Sequence, residues 1–276
     1  LMFGHRSDGR KLKTLPPFFR VIPSVMLERS DSQVYFKQDI SLKTIDEYID
    51  KKAAEGIKFS YMNIIYAALI RILAERPQLN RFAMNGSLYA RDGIYVSLAI
   101  KKNLSDDGQE TTLKLRFTGE ENIFEVKEKL DAAIDLNRDH ETVNSTDSLA
   151  SALGLIPNGL IRKAVKFLAF LDRHNAMPKK VIEASPFHTS VFLTNVGSLG
   201  IDSIYHHLYN FGTTSMFFAM GKKKKTFIYE DDEITLTTDI GHYSNVIFPR
   251  FYYIEKEGRR IGECRSIWTL IDLKRR

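Results

Sequence analysis

The chain belongs to the α/β class, and three features of its 276 residues say so. The run VFLTNVGSLGID, Val191 to Asp202, begins as a β-branched, apolar alternation and then breaks abruptly at Asn195, Gly197 and Gly200, as a buried strand does when it delivers a hydroxyl and an amide to a tight turn. Strand-like runs alternate with segments of helical period along the first half. The composition, 43% apolar and 27% charged, is that of a globule able to bury a substantial core.

The elements follow in order. Residues 1–30 hold Pro16, Pro17 and Pro23 without clear periodicity and read as an extended arm with a short helix near Val25–Arg29. Residues 31–276 read as a single domain, with a tail that diverges from about 240. Val34 and Phe36 alternate with Tyr35 and Lys37 in a first strand; Leu42, Ile45, Ile49 and Ala53 then fall at helical spacing, with Gly56 at the C-cap. From Tyr61 to Glu75 a helix apolar nearly all round is stopped by Pro77. Leu88–Ala90 and Ile94–Ile100 flank Arg91-Asp92-Gly93, a hairpin signal. Thr111–Phe117 is a further strand, and Ile123, Val126, Leu130, Ala133 and Ile134 mark an amphipathic helix. Residues 138–160 are polar. Beyond them LIRKAVKFLAFLDRH is a basic amphipathic helix with Leu160, Ala164, Phe167, Leu168 and Leu171 on one face. Such a stripe is ordinarily the core side of a globular helix; contact with an anionic membrane surface is the alternative.

Forty basic against 34 acidic residues give a net charge of +6, suited to an anionic substrate. The basic residues are scattered, without the aromatic-interleaved stripe of a nucleic-acid surface, so nucleic acid is not an expected partner. Lys222–Lys225, the densest cluster, reads as a solvated turn. One cysteine, Cys264, excludes a disulfide framework and a cysteine metal cluster and fits the cytoplasm. No metal site is expected. A nucleophile elbow, a P-loop and a dinucleotide fingerprint are all missing.

Several motifs occur in a telling order. SYMNIIYAALIRILAERPQLNRF is followed by GIYVSLAI, then by VFLTN with Gly197 and Gly200-Ile201-Asp202, then by a second apolar strand, Ser215–Met220, ending at Gly221 before four lysines. Together with QVYFKQDISLKTIDEYIDKKAAEG upstream, these resemble, over about residues 30 to 240, the catalytic domain of the 2-oxo acid dehydrogenase dihydrolipoyl acyltransferases, whose fold is shared with chloramphenicol acetyltransferase. The resemblance implies a two-layer sandwich, a mixed sheet packed with helices, assembled as a homotrimer. It implies acyl transfer from a coenzyme A or related thioester, a substrate rather than a covalently bound cofactor. The matching oxyanion hydroxyl is Thr194. The family's catalytic motif H-x-x-x-D-G is not found; His242, in TTDIGHYSNVIFPRF, stands closest to its place and is the best candidate base, though Val246 and Ile247 occupy the Asp-Gly positions.

Asn195, His206 and His207 are the expected substrate-side residues. Adjacent residues on a strand point to opposite faces, so at most one of the two histidines would face the channel; His188 has the same status. The residues therefore support a thioester-dependent acyltransferase, or a non-catalytic homologue serving as a trimeric binding or scaffold subunit. The tail after Pro249 also differs from the family, as either true divergence or a late change of reading frame would make it.

Overall fold

A computed structural model describes residues 6–26, 28–101, 110–138, 144–225, 234–240, 247–256 and 258–269. It divides into two compact units, Leu1–Lys223 and Lys224–Arg276. The first unit contains, in order, β1 (Gly9–Lys11), α1 (Pro17–Val25), α2 (Lys43–Ala54), α3 (Tyr61–Glu75), β2 (Arg81–Met84), β3 (Ser87–Arg91), β4 (Ile94–Lys101), β5 (Glu110–Phe117), α4 (Ile123–Arg138), α5 (Ser145–Gly154), α6 (Asn158–Arg173), α7 (Lys179–Ala184), β6 (Val191–Asn195) and β7 (Met216–Met220). The second holds β8 (Ile234–Ile240), β9 (Ile247–Lys256) and β10 (Arg259–Thr269), an antiparallel sheet in the order β10-β9-β8. Among the described residues no helix is long and apolar enough to cross a membrane.

The centre of the first unit is a mixed four-stranded sheet in the order β5-β4-β6-β7. β5 runs antiparallel to β4, while β6 is parallel to both β4 and β7. Because side chains alternate across a strand, the register sorts its residues cleanly. One face carries Ile94, Val96 and Leu98, Leu115 and Phe117, and Val191 and Leu193, packed against Tyr66, Ile70 and Leu73 of α3 and Val126 and Leu130 of α4. This is the core. The opposite face carries Tyr95 and Ser97, Lys114 and Arg116, Phe192 and Thr194, and Phe217, and it is the one with chemistry.

α3 occupies the span its sequence predicts, because Ser60 caps it by accepting from the Asn63 amide and Pro77 follows its end. The expected hairpin around Arg91-Asp92-Gly93 does not form. β3 pairs with β1 and β2 in a separate three-stranded sheet, β1-β3-β2, while β4 joins the central sheet. The true hairpin turn is Asn85-Gly86, between the paired Met84 and Ser87, with φ of 47° and 69°, the left-handed conformation that a two-residue turn of this kind demands.

Two further expectations are corrected, and one stretch gains a helix. The alternating stretch at Val34–Lys37 pairs with no described strand; Val34 is 91% and Phe36 77% exposed, so alternation is present without a partner. The helix expected near Val25–Arg29 lies earlier, as α1, entered through Pro17 at its first position. The polar stretch 138–160 contains α5, which Asn144 caps by accepting from the Asp147 amide.

Candidate functional site

The chemical face of the central sheet is roofed by the segments before and after β6. Ser97 donates its hydroxyl to the Pro186 carbonyl, Thr189 to the Tyr95 carbonyl, and the Tyr95 amide donates to Ser190 Oγ. From the other side, residues 205–211 lay aromatic rings over β6 and β7. Tyr209 contacts Phe187, Phe192, His206 and His207, and the rings of Phe192 and Phe217 stack at 5.3 Å.

Thr194 sits on this face, half-buried, next along the strand from Phe192 and beside Ala219. Ser198, four residues on, donates to the Asn195 carbonyl, and at the opposite end of the β6–β7 ladder Thr214 donates to the Phe187 carbonyl and Ser215 to the Arg81 carbonyl. Thr194 makes no side-chain hydrogen bond among the described residues. Asn195, one residue on, uses its side-chain oxygen to cap the short helical turn Val196–Leu199, accepting from the Ser198 amide at 3.3 Å. Just beyond, three backbones touch. A β-carbon at Gly197 would stand 2.5 Å from the Gly221 carbonyl oxygen, and one at Gly221 would collide with the Ser203 amide nitrogen, so both positions require glycine for close approach.

His206 and His207 do not lie on a strand, so strand alternation does not separate them; their rings stack on each other with centroids 4.9 Å apart. His206 also stacks flat on Phe217. Its Nδ1–H donates to the His207 carbonyl at 2.7 Å, so whenever the ring is neutral Nε2 is the nitrogen that can accept a proton. His207 makes the same kind of bond to the Leu208 carbonyl and is exposed. His242 lies outside the described residues.

His188 is placed differently, at 1% exposure within a buried charge network. Its Nε2 donates to Asp172 Oδ2 at 3.1 Å and its Nδ1 accepts from Ser185 Oγ at 2.8 Å, so both ring nitrogens are spent on structure. Asp172 pairs with Arg6, Arg6 with Asp8, and Arg91 donates to Thr213. Burial lowers the His188 pKa against the opposing pull of Asp172, and Asp172, hydrogen-bonded to His188 and facing Arg6, is held below the usual carboxylate range despite its own burial.

Lys114 completes this end of the face. It donates to the carbonyls of Ile182 and Ser185, closing the C-terminal turn of α7, and it borders a cavity of about 320 Å³ with Tyr95, Arg116 and Glu183. Burial, with help from the Arg91 guanidinium, pushes its ammonium down to about 7. Apart from His188, these network residues escaped the sequence reading. The readable signals were Lys114 alternating with Leu113 and Leu115 in a strand, and Asp172 as the lone acid in a basic helix. Among the described residues no cluster of histidine, cysteine and acidic side chains could hold a metal.

No protein-family profile matches the chain, and no curated protein does. Solved structures do. A probable dihydrolipoamide acetyltransferase of Listeria monocytogenes is 14% identical at a TM-score of 0.44, covering 80% of this chain and 79% of its own. The dihydrolipoamide acetyltransferase of Azotobacter vinelandii is 13% identical at 0.43, covering 80% and 76%. A truncated catalytic core of the 2-oxoacid dehydrogenase multienzyme complex of Thermoplasma acidophilum is 12% identical at 0.40, covering 77% and 80%.

Proposed function

We propose that the chain transfers an acyl group from a coenzyme A or related thioester to an acceptor, on the chemical face of the four-stranded sheet and as a homotrimer. The observation that carries this reading is Thr194. Its hydroxyl makes no hydrogen bond among the described residues, and it shares a face with the Phe217–His206 stack. Thioester attack needs a hydrogen-bond donor for the tetrahedral oxyanion and a base for the incoming nucleophile. Thr194 supplies the first. His242 and His206 compete for the second, and the Nε2 of His206 supports it among the described residues.

Release of free thiol from acetyl-coenzyme A in the presence of a thiol acceptor, followed with a chromogenic reagent, tests the reading. Turnover that falls sharply in His206→Gln or His242→Gln assigns the base. No thiol release by a folded protein sinks the enzymatic reading and favours a second one, a non-catalytic binding or scaffold subunit, which the lack of an H-x-x-x-D-G motif supports. Light scattering tests the assembly: a trimer is expected, and a monodisperse monomer at micromolar concentration overturns it.

A further inference from the structure

We propose that α6 is a membrane-surface helix that lays its outer edge into the headgroup region of an anionic bilayer. At 100° per residue its inner side is formed by Ile161, Ala164, Leu168, Leu171 and Asp172, which are half-buried or buried. The expected apolar stripe is therefore only partly core. Leu160 and Phe167 remain 50% and 59% exposed, and Phe170 on the same outer edge is 54% exposed. Two exposed phenylalanines and a leucine along one edge of a helix form a patch that water covers at a cost.

Charge identifies the occupant. Arg162, Lys163, Lys166 and Arg173 flank the patch, and Lys179 and Lys180 follow in α7. The one acid of α6, Asp172, is turned inward, where it bonds His188 and pairs with Arg6. The outward surface of the helix thus carries positive charge only. A second copy of the same surface would meet like charge across a two-fold interface. Aromatic and aliphatic groups bordered by lysine and arginine, whose stems can run along apolar surface to the water line, match an anionic headgroup layer over acyl chains. At 16 residues and with four basic side chains, the helix lies on a bilayer rather than through it.

Co-sedimentation of the full chain with vesicles tests this. Equimolar phosphatidylcholine and phosphatidylserine is expected to bind it at least tenfold more tightly than phosphatidylcholine alone, with loss at high salt. Phe167→Ser/Phe170→Ser and Lys163→Glu/Lys166→Glu should each weaken binding roughly tenfold or more. Phe18→Ser/Phe19→Ser, on the other exposed apolar helix, should leave it unchanged. Because the altered side chains face outward, each variant should keep the wild-type circular dichroism melt. Equal binding to both vesicle types, or full binding by a folded Phe167→Ser/Phe170→Ser variant, overturns the proposal. So does binding to polyglutamate with no binding to either vesicle, which would make the partner an acidic protein.

Discussion

The imidazole of His206 lies parallel to the ring of Phe217, with centroids 3.9 Å apart and planes 6° apart, so the histidine is held by the sheet as well as by its own loop. Residues 201–209 have no regular structure, yet Phe217 is fixed by pairing with Phe192 in the parallel β6–β7 ladder. A ring stacked this way loses rotational freedom before any substrate arrives, which favours a positioned proton acceptor. The ring current should shift the His206 carbon-bound proton resonances upfield. Phe217→Leu is expected to return them toward ordinary values and to lower stability by about 1 kcal/mol. Unshifted resonances in the unaltered protein would dispose of the stack.

Thr194→Val removes one hydroxyl with little change of shape. Because that hydroxyl has no partner among the described residues, stability should change by less than about 1 kcal/mol. Turnover of the thioester should fall roughly ten- to a thousandfold, as for loss of one oxyanion donor. A folded variant with undiminished turnover takes Thr194 out of the mechanism.

His188 makes stability depend on pH. Its folded pKa is depressed, so below the ordinary histidine value of about 6.5 the unfolded chain binds a proton that the folded chain resists. Stability is therefore present above that value and is lost as pH falls. Between about pH 7 and pH 5 the unaltered protein should lose up to about 1–2 kcal/mol more than His188→Gln, measured by chemical denaturation at each pH. Parallel pH profiles for the two proteins would show that His188 does not contribute.

Gly221→Ala places a methyl group against the Ser203 backbone, where no side chain can move aside. The expected cost is about 1–3 kcal/mol, from a shift of the end of β7 against the Asp202–Ser203 backbone. Gly200→Ala serves as the contrast. Its β-carbon meets open space, and only its left-handed φ of 76° opposes the change, costing about 1 kcal/mol. Equal effects would argue against the close approach.

What the sequence disclosed was local, and what it concealed was pairing. The Tyr61–Glu75 helix could be read residue by residue because its cap, its buried surface and its terminating proline all lie within it. The strand-to-turn change at Asn195 was legible for the same reason. Arg91-Asp92-Gly93 looks like a hairpin turn by the chemistry of its residues, but β3 pairs with β2 before it and with residues 9–11, far along the chain, and not with β4. Val34 and Phe36 show the converse, a strand pattern for which no described strand supplies hydrogen bonds. The candidate site divides likewise. Thr194 announces itself by position in a motif, whereas the bond from His188 to Asp172 and the carbonyls that hold Lys114 arise only when α6, α7 and β5 meet.

The charge network has a consequence for the order in which the molecule forms. Arg6 bonds the carbonyl of Asp172, 166 positions away, and Arg91 reaches Thr213 across 122. During synthesis the Arg6–Asp8 pair and Arg91 leave the ribosome long before Asp172 and Thr213 and must wait hydrated, because a charge buried without its partners is costly. The small β1-β3-β2 sheet therefore cannot close over its charges until most of this unit has been made. Closure across such separations is slow, so the charge network around Arg6 and Arg91 can be completed only after residues 172 and 213 have been made.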